Sequence, residues 1–207
     1  MTSRHHRRGP RGDIRPEDLL EAAQRVLGTG GAAALTLRAV ASEAGVTPNA
    51  IYTYFEDMAA LRNRIGDDFV GRFDLGLLRQ ACPAHALRQF LAHVLGVAEG
   101  APGQVAILAA QRIAGPRTLA LNEALLDFFV DAVGHPSARA ASLTMLVTEW
   151  LHGRLLLSGS NAAPPGFTAA LERLDLDRYP RTAIMLRAGD DDSSLDVLVA
   201  AITEPPA

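Results

Sequence analysis

The sequence predicts an all-α fold, about nine to ten helices, with an N-terminal three-helix unit of helix-turn-helix type followed by a larger helical body. Three observations predict it. Hydrophobic residues make up 48% of the chain and charged residues 21%, a globular composition, while aromatic residues are only 5% and Ala and Leu abound. No run shows the period-two alternation rich in Val, Ile and Thr that marks strands; apolar residues return instead every three or four positions. Gly and Pro fall at the intervals of helix boundaries. At 207 residues, one or two compact units are expected, each able to bury a core.

The elements follow in order. Pro16 opens a first helix whose apolar positions Leu19, Leu20, Ala23, Val26 and Leu27 share a face, and Gly28, Gly30 and Gly31 are expected to stop it. Thr36 precedes L-R-A-V-A-S-E-A, Gly45 breaks that helix, and Thr47 precedes P-N-A-I-Y-T-Y-F. Each Thr suits the cap of a new helix. Asp57 caps a long fourth helix predicted to run toward Gln80. Beyond Pro83, breaks at A-P-G 101–103, G-P 115–116 and G-H-P 134–136 delimit helices at 84–99, 103–114, 117–133, 137–158 and 167–174. A-A-P-P-G at 162–166 reads as a loop, the stretch containing D-D-D at 190–192 as poorly patterned, and 193–203 as a last helix.

The net charge of −3 conceals an asymmetry. Residues 1–64 hold nine Arg against seven Asp and Glu, residues 65–207 eleven against sixteen, and the first fifteen residues alone hold five Arg and one Asp. Such a chain approaches a polyanion with its basic end. Every one of its basic residues is Arg. The single cysteine, Cys82, permits no intramolecular disulfide and no thiolate-pair zinc site, and is expected to be a buried structural residue. His93 and His152 have no metal partner at ligand spacing, so no metal site is expected. No stretch reaches eighteen uninterrupted apolar residues, and M-T-S-R-H-H-R-R-G-P-R-G lacks the apolar segment of a secretory leader; a cytoplasmic location away from membranes is expected.

Residues 36–55, T-L-R-A-V-A-S-E-A-G-V-T-P-N-A-I-Y-T-Y-F, predict two short helices crossing at a tight turn. Ala41 permits close approach, Gly45 supplies a positive φ, and Val40, Ala44, Val46, Ile51 and Phe55 form a small shared core. With Ile51 and Phe55 inward, Asn49 and Thr53 point outward, flanked by Tyr52 on one side and Ala50 and Tyr54 on the other. This stretch resembles the DNA-binding domain of the TetR (tetracycline repressor) family of regulators, actinobacterial type: a Thr-started second helix, A-x-x-A-G-V, then a recognition helix ending in Y-x-H/Y-F. The resemblance covers residues 14–62 and rests on Ala41, Ala44, Gly45, Val46, Tyr52, Tyr54, Phe55 and Leu61. Where the family commonly has Lys at the start of the fourth helix, this chain has Met58; that phosphate contact is not implied, and Arg62 or Arg64 is the candidate substitute.

The resemblance implies a basic tail at 1–13, a DNA-binding domain at 14–62 and a helical effector-binding and dimerisation domain at 63–207. It implies a homodimer on palindromic double-stranded operator DNA, a ligand-responsive repressor. Thr36, Thr47, Tyr52 and Tyr54 carry hydroxyls suited to phosphate. Arg38 has the fork for a guanine edge, Asn49 suits adenine or phosphate, and Thr53 and Pro48 suit a thymine methyl.

The segment 137–158, about 33 Å long as a helix, is apolar on more than one face and is expected to pack on its own domain on one side and on a second subunit on the other, with the last helix. Gly153 is expected to mark a close helix crossing. An effector site is expected from Phe90, Val94, Ile107, Gln111, Phe128, Met145, Glu149 and Trp150, which mix apolar walls with sparse polar anchors. No Gly-rich phosphate loop, G-x-S-x-G or H-E-x-x-H occurs, so neither enzyme activity nor a cofactor is expected. Two other readings stay open: a protein-interaction module derived from the helix-turn-helix, and a constitutive DNA-binding dimer without an inducer.

Overall fold

A computed structural model describes residues 14–158, 165–188 and 193–204. The basic segment 1–13, most of the 162–166 loop and the 190–192 aspartates lie outside the described residues. Within the described residues the chain is helical and contains no strand. It divides into two compact units, the division falling between Ile65 and Gly66.

In the first unit, α1 spans Pro16–Ala34, α2 Leu37–Ala44, α3 Pro48–Ile51, and α4, Met58–Val70, carries the chain across the division. The α1 start is set by Asp18, whose carboxylate accepts the Arg15 N–H at 2.9 Å; that bond holds its pKa below the ordinary carboxylate value. The expected stop at three glycines is a kink instead. Gly28 and Gly30 remain helical, Gly31 takes φ +66°, and Ala32–Ala34 close a further turn. Leu19, Leu20, Val26, Leu27, Val40, Ile51, Phe55, Leu61 and Ile65 are buried together with Ala23 and Ala41. Each large one stabilises this small unit by roughly 1.5–3 kcal/mol relative to exposure. Asp57 caps α4 as expected, its Oδ1 accepting the Ala60 N–H at 2.7 Å.

The second unit continues through a 3₁₀ turn at Leu75–Arg79, α5 Pro83–Glu99, α6 Pro102–Ala110 and α7 Pro116–Asp127. A π-turn follows at Phe128–Ala132, then α8 Ser137–Ser158, α9 Pro165–Leu171, a 3₁₀ turn at Leu176–Arg178, α10 Pro180–Ala188 and α11 Ser193–Thr203. Its core gathers Phe69, Leu87, Phe90, Leu91, Val94, Leu125, Phe128, Phe129, Leu143, Val147, Leu151, Leu195 and Val199. The inner face of α8 is Ala140, Leu143, Thr144, Val147, Leu151 and Leu155. An ion pair of 2.6 Å between Arg88 and Asp196 links α11 to α5.

The end of α4 and the start of α7 are joined by a buried carboxylate. Asp67, 2% exposed, accepts the Thr118 N–H and hydroxyl, each at 2.9 Å, and the Arg117 N–H at 3.4 Å. Arg117 pairs with Asp68 at 2.5 Å and approaches Asp67 at 3.9 Å. Asp67 thus supplies the partner that the first N–H groups of α7 lack within their own helix. Burial pushes its pKa up, but the hydrogen bonds from Thr118 and Arg117, with the Arg117 charge, outweigh it and hold the pKa below the ordinary value. The approach is close enough that a Cβ on Gly115 would collide with the Asp67 carboxylate, and one on Gly66 would lie 2.6 Å from the Ile113 side chain.

Several boundaries differ from expectation. The fourth helix ends at Val70 rather than near Gln80, because Asp74 accepts the Gly76 N–H at 2.9 Å and donates its own N–H to His93 Nε2 at 3.1 Å, starting a separate 3₁₀ turn. Helix α6 ends at Ala110 rather than 114, since Gln111 turns extended and Ile113 fills the space over Gly66. The 117–133 helix widens into a π-turn, closed by Val133 N–H to Phe128 C=O at 3.1 Å. Helix α10 was not expected at all. Cys82 is exposed, not buried, because it occupies the N-cap position ahead of Pro83. A Cβ on Gly153 would meet nothing within 4 Å, so among the described residues no neighbour crosses α8 closely there.

Candidate nucleic-acid interface

The helix-turn-helix is built from short-range bonds. Thr36 Oγ1 accepts the Ala39 N–H at 3.1 Å and starts α2. Gly45 ends it at φ +71°, ψ 28°, with its N–H on the Ser42 carbonyl at 3.2 Å and the Val46 N–H on Ala41 at 2.9 Å. The left-handed backbone reverses the chain without a Cβ penalty, which is why Gly stands there. Thr47 precedes α3 but makes no side-chain cap. The fixed φ of Pro48 at the first position does the organising instead. The expected eight-residue helix is one α-turn, Pro48–Ile51, continued by turns in which the Tyr54 N–H, three residues on, and the Phe55 N–H, four residues on, share the Ile51 carbonyl, each at 2.9 Å.

This geometry turns Ile51 and Phe55 inward and leaves Thr36, Arg38, Thr47, Pro48, Asn49, Tyr52, Thr53 and Tyr54 exposed. Arg38 makes no ion pair or hydrogen bond among the described residues, so its five donors face solvent. Glu43, the carboxylate of α2, is held by Arg25 at 2.6 Å, which neutralises an acidic charge on this helix. Thr36 keeps its hydroxyl proton, because its oxygen only accepts in the cap. Tyr52 is 54% exposed. Tyr54 differs: its hydroxyl donates to the Ile14 carbonyl at 2.5 Å. Met58 is half-buried, Arg62 half-buried and Arg64 exposed.

Residues 19–65 match the family model for bacterial regulatory proteins of the tetR family. The chain carries a TetR-family DNA-binding domain. No curated protein matches the chain. Among solved structures it is similar to apo ActR from Streptomyces coelicolor, with a TM-score of 0.77 and 14% identity over 93% of this chain and 98% of that one. ActR in complex with actinorhodin gives 0.74 and 14% over 91% and 93%. The transcriptional regulator SCO7222, a TetR from the same organism, gives 0.70 and 24% over 92% and 98%. These likenesses extend the TetR-like fold through the helical body.

In that body the residues expected to line an effector site separate. Phe90, Val94 and Phe128 are buried in one core with Trp150 packed against it, whereas Ile107 is buried outside that cluster. Gln111 is half-buried where α6 ends, and Met145 and Glu149 lie on the outward face of α8, Met145 at 63% exposure. An open groove of about 630 Å³ lies instead between the Leu75–Arg79 turn and α7. Leu75, Leu78, Ala120, Ala124 and Phe128 wall it, and Glu123, Asp127 and Asp131 rim it. Sequence reasoning missed these carboxylates although their spacing of four residues places them on one helical face.

His93 Nε2 accepts the Asp74 N–H, and His152 Nδ1 donates to the Thr148 carbonyl at 2.8 Å, so both imidazoles serve the local backbone. Among the described residues no single helix is long and apolar enough to cross a membrane.

Proposed function

We propose that the chain is a dimeric repressor that holds a palindromic operator and releases it when a small, largely apolar effector binds the helical body. The observation that carries the DNA-reading part is the exposed constellation of Arg38, Asn49, Tyr52 and Thr53 around the Gly45 turn, on elements whose apolar sides are buried. Thr36, Thr47 and Tyr52 position the reader on phosphates; Arg38, Asn49, Pro48 and Thr53 read base edges. The outward face of α8 supports dimerisation: Met145, Leu146 and Leu156 are 63%, 44% and 53% exposed, and Val197 on α11 is 70% exposed. Apolar side chains grouped on two helices favour a partner, and the open space over Gly153 lets a helix of a second copy approach. Two-fold symmetry then demands an approximately palindromic site.

The effector occupies the groove walled by Leu75, Leu78, Ala124 and Phe128, with the Glu123, Asp127 and Asp131 carboxylates as polar anchors. Its volume suits a small molecule. The complex of ActR with actinorhodin supports an effector-binding body of this fold. Selection of duplexes from a random-sequence library by the full chain tests the reading. A retained palindromic sequence is expected. Arg38→Ala is expected to cost about 1–3 kcal/mol and relax preference at one position, whereas Tyr52→Phe weakens all duplexes alike. Equal losses on selected and scrambled DNA for Arg38→Ala make Arg38 a phosphate contact. A chain that retains no duplex leaves the surface as a protein-interaction module.

A further inference from the structure

Helix α8 carries a second pattern on its outward side. Ala138, Ser142, Met145, Glu149, His152 and Leu156 follow one another at steps of four and three, and all six are exposed. Such spacing is the seam along which one helix meets another. The buried Ala140, Leu143, Val147, Leu151 and Leu155 lie on the opposite side. Met145 and Leu156 bound the stripe's middle with apolar side chains, and the middle itself holds a carboxylate and an imidazole one turn apart. His152 Nδ1 donates to the Thr148 carbonyl at 2.8 Å, which leaves Nε2 as the ring nitrogen free to bind. A backbone carbonyl behind the ring is how metal-bound histidines are commonly oriented. Glu149 takes part in no hydrogen bond or ion pair among the described residues. Within one chain no third ligand joins the two among the described residues.

We propose that two copies pair α8 antiparallel along this stripe and hold one divalent transition-metal ion between them, ligated by Glu149 and His152 of each copy. The proposal rests on the dimer reading above. In a two-fold contact each residue meets a partner residue that meets it in return. Met145 and Leu156 cover one another's counterparts when the axis passes midway between them, and that midpoint falls between Glu149 and His152. Glu149 then faces the partner's His152, and His152 faces the partner's Glu149. Helices in contact stand about 8–10 Å apart, a gap that four such side chains close on one ion at metal–ligand distances of about 2.0–2.2 Å. The open space over Gly153, next to His152, admits that approach. Two carboxylates drawn to one axis repel unless positive charge lies between them, and a dication supplies it. Two imidazole nitrogens with two carboxylate oxygens suit zinc and its first-row neighbours, whereas calcium and magnesium take oxygen ligands alone.

The test uses the full chain, stripped of metal with a chelator and then titrated with zinc, with bound metal and sedimentation read together. The natural chain is expected to take up one zinc per two chains beyond what the His152→Gln variant takes up. Zinc is expected to lower the dimer dissociation constant at least about tenfold, because it binds the dimer and not the monomer. Cobalt in its place is expected to give the visible absorption of a four-coordinate ion, in the dimer alone. His152→Gln and Glu149→Gln each remove the tightening and leave the helical circular dichroism intact. Glu149→His, which offers an imidazole where the carboxylate was, retains it. A dimer that takes up no zinc overturns the metal site alone and leaves Glu149 and His152 as reciprocal pairs across the axis. A tightening by zinc that survives both Gln substitutions overturns it as well, by placing the metal elsewhere. A chain that stays monomeric with zinc and without overturns the dimer reading itself, a failure seen before any variant is made.

Discussion

Asp67 shows how much one side chain settles. It is buried with a full set of donors, so it stays ionised and holds the first turn of α7 to the end of α4. Asp67→Asn keeps the shape and removes the charge; a loss of about 1–3 kcal/mol is expected in chemical denaturation at neutral pH. Because the folded pKa is depressed, the charge contributes fully above the unfolded value, near ~3.9, and is lost as pH falls through the lower folded value. The gap between the natural chain and the Asn variant therefore closes in acid, and a gap that widens instead contradicts the assignment. Gly115→Ala is expected to destabilise by about 1–3 kcal/mol, since its new methyl collides with the same carboxylate. The penalty shrinks when Asp67 is first cut to Ala, and a double-mutant cycle reads that coupling.

At the scale of elements, α8 and α11 each bury one face and expose apolar side chains on another, so a substitution that charges the exposed side tests the dimer without touching the core. Val197→Arg with Met145→Arg is expected to leave the helical circular dichroism intact and give a monomer in sedimentation at micromolar concentration. A dimer that survives places the interface elsewhere. Much of this layout was legible. Pro16, Pro83, Pro102 and Pro116 each stand at a helix start, and the segment 137–158 is helical over its expected length, because these positions combine a breaker with a three-to-four period. The unexpected α10, Pro180–Ala188, has Ala183 as its buried residue while Ile184 and Met185 are exposed, so it lacks the apolar stripe that makes a helix visible in sequence. The early end of α4 depends on the Asp74 backbone N–H meeting His93 nineteen positions away, a contact no local window contains. The exposure of the eight residues expected to face DNA was readable because all of them lie within nineteen positions around one glycine turn. The eight residues expected to line an effector site do not share one cavity, since the inward face of a helix and the wall of a groove carry the same residue types.

For the whole molecule, the proposed release by an effector asks how binding in the second unit would bias the first. Helix α4 begins in the one and ends in the other, and its last turns are bonded to α7, which also walls the groove. A hundredfold loss of operator affinity needs about 2.7 kcal/mol of difference in effector affinity between the two states. A compound that raises the melting temperature and releases the selected duplex is expected from an apolar library. Phe128→Trp, which fills the groove wall, is expected to weaken that compound's effect at least tenfold while leaving DNA affinity of the free chain near its natural value. Release that is indifferent to Phe128→Trp moves the effector out of the groove.

Cys82 stands exposed at the head of α5 and is the one thiol in the sequence. A nitroxide placed there labels each protomer once, with no background site to remove. A symmetric dimer then holds a single pair of electron spins, and their dipolar coupling gives one distance distribution for each state of the assembly. Free chain, duplex-bound chain and effector-bound chain can be compared on that ruler in solution, and a protein that stays monomeric returns no coupling between protomers at all.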